Sequence, residues 1–310
     1  MNITFCTLFE GSHHFGVAAL SNSLIASGYT GSLWVGYRGT LPDWITGAPG
    51  YDPATQQLQA APSLRLCMVA LDTGLHFAYY KPTFMRAVFD THAPEADLVV
   101  YLDPDIVVKC AWENLHPWFT DDAISLAEDV NWSLPARHPK RLQWNAFFAS
   151  HQVFPLRELD RYYNAGFIAL SRANLGFLDV WRHLCGLVVD YNQGLKHLKA
   201  GTAEALFHST DQDAMNFAIA VYEAPLNTAG PEAMDFAAGG YHLSHAIGTP
   251  KPWKAPHIRL ALWGRSPSVA TKAYFQFADG PLQAFSRGEL SRKRLAMRVA
   301  SVIGRFYGRR

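Results

Sequence analysis

Leu98-Val99-Val100-Tyr101-Leu102-Asp103-Pro104-Asp105-Ile106-Val107-Val108 decides how this chain is read. Five residues with strand-forming side chains run into two aspartates one residue apart, and a second β-branched run follows. Two carboxylates at the end of a buried strand repel each other and lose their water, so a cation between them is what makes the pair tolerable. In open α/β sheets, ligands gather at the carboxyl ends of the strands. The stretch therefore predicts a buried strand ending in a cradle for a divalent metal that carries an anionic group. Asp103 and Asp105 are hard oxygen ligands suited to magnesium or manganese.

Outward from this strand the chain alternates. Residues 2–9 read as a strand, 15–27 as a helix stopped by Gly28, and 31–37 as a second strand, an opening that favours a parallel sheet. Residues 38–62 form a long Gly- and Pro-rich connection before a strand over 64–71. A helix is expected over about 82–90, with Pro82 in its first turn. Strands follow at 123–127 and 162–170, and helices at 173–193 and 211–222. Residues 129–160 mix tryptophan, proline, histidine and basic residues without clear periodicity, which marks a substrate-facing insertion. The economical division is one α/β domain over 1–285 and a C-terminal tail over 286–310.

The 310 residues are 49% hydrophobic, enough for a well-filled core, and no stretch approaches the ~20 apolar residues of a membrane span. The N-terminus reads as a strand rather than a signal peptide. Cys6, Cys67, Cys110 and Cys185 are widely spaced in mostly apolar surroundings, as reduced thiols of a cytoplasmic protein are. The net charge of +1 hides an asymmetry: the tail holds eight basic residues and one acid, leaving 19 basic against 25 acidic residues in the body. Leu295, Val299, Val302, Ile303 and Phe306 share one helical face, with Arg294, Arg298, Arg305 and Arg309 beside it. This is the pattern of a basic amphipathic helix on an anionic membrane surface; the bland alternative is a terminal helix packed on its own domain. An acidic body without a recognised nucleic-acid fold argues against nucleic-acid binding.

Three further segments carry chemistry. In His245-Ala246-Ile247-Gly248-Thr249-Pro250-Lys251-Pro252-Trp253, an imidazole could complete the metal shell, as it suits manganese better than magnesium. Gly248 would let backbone approach a diphosphate, Lys251 adds a point charge for phosphate, and Trp253 would anchor the loop. His242 is a rival ligand three residues earlier. In Thr210-Asp211-Gln212-Asp213, a helix cap explains one aspartate but not Gln212. In Tyr162-Tyr163-Asn164-Ala165-Gly166, an amide and two small residues interrupt an apolar strand, where a ligand can reach the backbone.

These four segments, in this order and spacing, resemble the family 8 glycosyltransferases, which include bacterial lipopolysaccharide galactosyl- and glucosyltransferases and, more distantly, glycogenin. The resemblance runs from the first strand to about Trp253. It implies a GT-A fold, with a central mixed, mostly parallel Rossmann-like sheet flanked by helices. It also implies a UDP-sugar donor, manganese or magnesium, and transfer with retention to a hydroxyl of a glycan or lipid-linked saccharide. By position, Asp103, Asp105 and His245 would hold the metal, and Gly248 and Lys251 the phosphates. Asp211 would bind sugar hydroxyls beside Gln212 at the anomeric carbon, and Asn164 and Ala165 would line the sugar pocket. Thr7 and Leu8 sit where the family receives uridine. Lys81 or Arg86 stands in for a Tyr-x-Arg that this chain lacks, and Asp129 is a candidate near the acceptor. The expected setting is cytoplasmic, peripheral on the inner face of the membrane.

Two other readings compete. An aspartyl-nucleophile phosphatase of the HAD type also uses Asp-x-Asp after a strand, but there the motif ends the first strand and His245 to Trp253 has no role. The second is a non-catalytic nucleotide-sugar-binding protein.

Overall fold

The computed structural model describes residues 1–192 and 205–306; residue 193 of the expected helix and the tail arginines Arg309 and Arg310 lie outside them. The first half contains β1 (Ile3–Glu10), α1 (His14–Ser27), β2 (Gly31–Arg38), α2 (Asp43–Thr46), β3 (Tyr51–Asp52), β4 (Gln57–Ala61) and β5 (Leu64–Ala70). Then come α3 (Phe77–Ala87), β6 (Leu98–Leu102), β7 (Ile106–Val108), α4 (Trp112–Leu115), β8 (Ile124–Ser133) and α5 (Pro139–Ser150). The remainder is β9 (Arg161–Ser171), α6 (Leu175–Tyr191), α7 (Thr210–Val221), β10 (Leu226–Ala229), β11 (Leu243–His245), α8 (His257–Leu262), α9 (Val269–Phe277) and α10 (Arg287–Phe306).

These elements form two compact units. The first comprises Met1–Cys6, Asp72–Leu102 and His116–Pro231. Its strands lie in the order β10-β8-β9-β6-β1, parallel at β10–β8 and β6–β1 and antiparallel on both sides of β9. All strands but β9 therefore run one way. Every residue of β6 is buried, as expected of a parallel strand covered on both faces. Helices α3, α6 and α7 pack as neighbours, and α7 also lies on β9.

The second unit comprises Thr7–Leu71, Asp103–Leu115 and Glu232–Arg310. Its strands run β2-β5-β4-β3, parallel at β2–β5 and antiparallel around β4, with a separate two-stranded β11–β7 ribbon. Helix α1 is buried almost throughout. The hydroxyls of Ser21, Ser23 and Ser27 donate to carbonyls three or four residues back, which is how buried serines are satisfied inside a helix. The helix ends where Gly28 turns left-handed at φ 85°, with Tyr29 N–H closing on Leu24 O at 3.3 Å. Each unit is thus α/β with a mixed sheet running mostly in one direction, as expected.

Several local expectations change. Helix α3 begins at Phe77 behind His76, whose ring nitrogen accepts the N–H of Ala78, so Pro82 lies inside the helix rather than in its first turn. Residues 38–62 hold α2 and the β3–β4 hairpin rather than a plain connection. Residues 129–160 contain the end of β8 and all of α5, which His138 caps. The α5 face that turns inward is Arg141, Trp144 and Phe148, and the arginine at its head disguises the apolar stripe. The four cysteines are free.

The tail forms α10, which packs on α8 within the second unit. Leu290 and Ala300 are buried, and Lys293 Nζ donates to Trp253 O at 2.8 Å. Leu295, Val299, Val302 and Phe306 lie on the opposite face and are exposed. Among the described residues, no helix is long and apolar enough to cross a membrane.

Candidate functional site

In the second unit, the turn after β6 closes when Ile106 N–H donates to Asp103 O at 3.0 Å. Antiparallel pairing of β11 with β7 sets His245 opposite Ile106, and Ala246 N–H reaches Asp105 O at 3.0 Å. Three ligand groups converge as a result. His245 Nε2 lies 3.3 Å from Asp105 Oδ1 and 4.0 Å from Asp103 Oδ2. Lys251 Nζ donates to Asp105 Oδ2 at 2.5 Å and to Ala246 O at 3.1 Å. Burial opposes ionisation of Asp105, but the charges of His245 and Lys251 outweigh it and hold the carboxyl well below the usual carboxylate range.

One ligand atom each from Asp103, Asp105 and His245 fall within 4.8 Å of one another. His245 Nδ1 is buried without a hydrogen-bond partner. It is Nε2 that faces the carboxylates, and two carboxylate oxygens with an imidazole nitrogen suit a divalent cation such as manganese. His242 does not belong to this group. The following loop is held at both ends. Gly248 takes φ 83°, a left-handed conformation that favours glycine, and Trp253 is buried against Tyr274 and His13. Thr7 and Leu8, in β1, are buried, and Thr7 Oγ1 has no hydrogen-bond partner.

A second cluster lies in the first unit, around a bulge in β9. Between Leu126↔Ile168 and Glu128↔Tyr163, β8 advances two residues while β9 advances five. Residues 164–167 are therefore without ladder partners on β8. Side chains take over those bonds. Gln212 Oε1 accepts Ala165 N–H at 3.0 Å, Lys81 Nζ donates to Ala165 O at 2.9 Å, and Asn216 holds both backbone groups of Tyr163 at 2.8 Å. Lys81 also lies 3.5 Å from Asp211 Oδ2, with both side chains largely buried. Asn164 Nδ2 donates to Asp129 Oδ2 at 2.7 Å.

The structure thus brings Lys81, Asp129, Asn164, Ala165, Asp211 and Gln212 together in one unit. Arg86 is not part of this group: its guanidinium pairs with Asp90 and Asp179 in partly exposed ion pairs. The two aspartates of Asp211-Gln212-Asp213 divide their work. Asp213 reaches back from the first turn, accepting the N–H groups of His208 and of the cap residue Ser209 at 2.8 and 3.1 Å and the hydroxyl of Tyr162 at 2.5 Å. Asp211 is left for Lys81. Sequence reading missed Asn216, whose signal was only its spacing of four residues from Gln212, and it missed the Tyr162–Asp213 bond altogether.

Burial raises the Asp213 carboxyl to about 7, against the pull of those three hydrogen bonds, and the nearby Asp211 charge adds to the rise. A carboxyl raised on folding stabilises the fold fully below its unfolded value, near 4, and loses that contribution as pH rises through about 7. The loss is on the order of 4 kcal/mol between those limits. Urea midpoints should therefore fall from pH 5 to pH 8 in the native protein, with most of that fall absent in Asp213→Asn. Parallel pH profiles for the two proteins would contradict this.

Comparison with known proteins gives the fold. No protein-family model matches the sequence, and no curated protein matches it. Among solved structures, the chain is similar to the galactosyltransferase LgtC in complex with donor and acceptor sugar analogs. The TM-score is 0.55 at 14% identity, over 94% of this chain and 99% of that one. It is similar to the bifunctional glycosyltransferase WbbM (TM-score 0.55, 14% identity), over 94% of this chain but 51% of that one. It is also similar to the glycosyltransferase GlyE of Streptococcus pneumoniae TIGR4 (TM-score 0.51, 12% identity), over 96% of this chain and 64% of the other. With its Asp-x-Asp following β6 rather than the first strand, this chain has the GT-A fold of these glycosyltransferases.

Proposed function

We propose that this protein is a metal-dependent, retaining glycosyltransferase that moves a hexose from a UDP-sugar to a hydroxyl of a glycan or lipid-linked saccharide. The observation that carries the reading is the convergence of Asp103, Asp105 and His245 with Lys251 beside them. A manganese or magnesium ion held there would supply positive charge to the departing diphosphate. Lys251 adds a second positive charge at the same end, and its ammonium, with a flexible stem, can turn from Asp105 to a phosphate oxygen. Gly248 allows the loop backbone to follow the phosphates, and Thr7 and Leu8 serve the uridine. At the sugar end, Asp211 accepts hydrogen bonds from sugar hydroxyls while Lys81 offsets its charge. Asn164 and Ala165 line that end.

Gln212 is neutral and a poor nucleophile, so its amide stabilises the positive charge that grows on the sugar as the glycosidic phosphate bond breaks. Attack then comes from the face the diphosphate leaves. A manganese-dependent screen of UDP-sugars for binding and slow hydrolysis tests the class and the donor together. Hydrolysis of at least one UDP-sugar is expected, with Gln212→Ala turning over more slowly at nearly unchanged donor affinity. A native protein that binds no UDP-sugar with manganese present would end the proposal, and full activity in Gln212→Ala would remove the residue from the chemistry.

The same reading assigns residues 1–285 to transfer and 286–310 to attachment on the inner face of a membrane, in the cytoplasm. The support is that α10 has two distinct faces. The apolar stripe from Leu295 to Phe306 is turned away from the packed face, and Phe306 is 83% exposed. By helical position Arg298 and Arg305 flank it on one side and Arg292 on the other, and among the described residues none of the three forms an ion pair. Apolar area plus flanking arginine is what an anionic lipid surface attracts. The full chain is expected to co-sediment with vesicles containing anionic lipid, and a chain ending at residue 285 to stay in the supernatant. Equal partitioning of the two would remove the attachment role.

A further inference from the structure

Residues 134–160 supply none of the side chains assigned above. What they frame, with α7, is a separate cavity of about 520 Å³ within the first unit. Its lining holds three arginines, Arg137, Arg141 and Arg157, against one acid, Glu158. Two of these guanidinium groups are tied down by backbone carbonyls rather than by carboxylates. Arg157 donates to Ile219 O, Ala224 O and Tyr222 O at 2.8, 2.6 and 2.9 Å. Arg141, only 6% exposed, donates to Leu134 O at 2.7 Å and Arg161 O at 2.5 Å through Nε and Nη2, leaving Nη1 without a hydrogen bond among the described residues. Asp160 and Glu223 attract these two arginines from a distance, but neither forms an ion pair with them. Arg137 and Glu158 are exposed and, among the described residues, form no ion pair, and Asn145 lines the cavity with its amide.

Carbonyl dipoles orient a guanidinium but leave its charge unneutralised, and a largely buried cation without a counter-ion is costly. An oxyanion entering the cavity would supply that counter-ion, and a guanidinium with free N–H groups binds carboxylate or phosphate with charge-assisted hydrogen bonds. The rest of the lining is not that of a simple anion hole. Leu142 and Leu156 expose aliphatic surface, and Asn145 can serve hydroxyls. We infer that this cavity binds an acidic saccharide, a sugar bearing a phosphate ester or a carboxylate.

The cavity shares α7 with the proposed sugar site. Phe217 and Ala220 line it, and Gln212 lies eight residues before Ala220, about 12 Å along the helix. That is the reach of a short oligosaccharide, so the bound sugar would be an outer part of the acceptor. Only this last assignment rests on the transferase reading.

Calorimetric titrations of the full chain with glucose 6-phosphate, glucuronate, glucose and inorganic phosphate test the cavity without requiring transfer. The two acidic sugars are expected to bind and glucose, at equal concentration, to give no signal. Arg137→Gln should weaken both acidic sugars by at least about tenfold, while manganese-dependent UDP-sugar hydrolysis is unchanged. Equal binding of glucose and glucose 6-phosphate would overturn the inference. So would binding that persists in Arg137→Gln but vanishes in Lys251→Ala, which would place the ligand at the diphosphate end. Inorganic phosphate binding as tightly as glucose 6-phosphate would reduce the cavity to an anion site and remove the saccharide. Loss of UDP-sugar hydrolysis in the native protein with acidic-sugar binding intact would sink the transferase reading and leave the cavity standing.

Discussion

Replacing Asp105 with asparagine is expected to abolish measurable manganese binding and to slow UDP-sugar hydrolysis by about 10²- to 10³-fold. Asparagine keeps the size and one carbonyl oxygen but removes the charge that both His245 and Lys251 face. A bound metal contributes several kcal/mol of charge stabilisation, which is the stated range of rate. Stability should fall as well, because Lys251 loses its 2.5 Å partner and His245 loses its 3.3 Å one. Breaking a buried pair costs about 3–5 kcal/mol; Lys251 is one-fifth exposed, so about 2–3 kcal/mol is expected here. Electron paramagnetic resonance of free manganese reads the first effect and urea denaturation the second. Undiminished manganese affinity would show that the Asp103–Asp105–His245 cluster is not the metal site.

Gly16→Ala is expected to destabilise the protein by about 1–3 kcal/mol and to weaken manganese binding by at least about tenfold. A methyl group on Gly16 would stand 2.2 Å from Pro104 O and 3.1 Å from the Trp253 ring. The carbonyl is backbone, so either α1 or the Asp103-Pro104-Asp105 turn must move. Both carboxylates flank Pro104, and a displacement there shifts them relative to His245. Alanine is otherwise the better helix former by about 1 kcal/mol. The sign of the stability change therefore discriminates sharply. An alanine variant as stable as the parent, or more so, with unchanged metal affinity, would show that this close approach does not position the turn.

Much of the local structure around the candidate site was legible because its signals are local. Leu98–Leu102 is a strand with the bounds its side chains suggest, since a run of buried β-branched and aromatic residues has few other stable conformations. The Asp211–Asp213 segment opens a helix as its first-turn acids suggest, although the cap residue is Ser209 and Asp213 reaches back to its N–H from inside the first turn. Asn164-Ala165-Gly166 does mark a disturbed strand.

What was not legible depends on bonds between residues far apart in sequence. Pro82 reads as a helix start, yet tertiary packing carries α3 five residues further back and buries Lys81 on its inner side. The α5 stripe is hidden in the sequence because Arg141 heads it, and that arginine turns inward where carbonyls at Leu134 and Arg161 orient its guanidinium. Gly16 looks like an ordinary glycine near a helix start. Its importance comes from a carbonyl 88 positions along the chain.

By itself, the sequence determined that two carboxylates end a buried strand, a pair that positive charge relieves, and that a histidine, a glycine and a lysine follow at close spacing. It left two histidines able to complete the metal shell and two cations able to meet the donor. Tertiary structure separates the candidates by place: His245 but not His242 falls in the cluster with the two aspartates, and Lys81 but not Arg86 lies beside Asp211 and Ala165. Antiparallel register sets Leu243 opposite Val108 and His245 opposite Ile106, and strand geometry then fixes which histidine turns toward the aspartates. The packing of α3 carries Lys81 to Ala165 and Asp211 while leaving Arg86 among surface acids. Repulsion between nearby charges can be read from spacing, but which distant group relieves it depends on how strands register and helices pack.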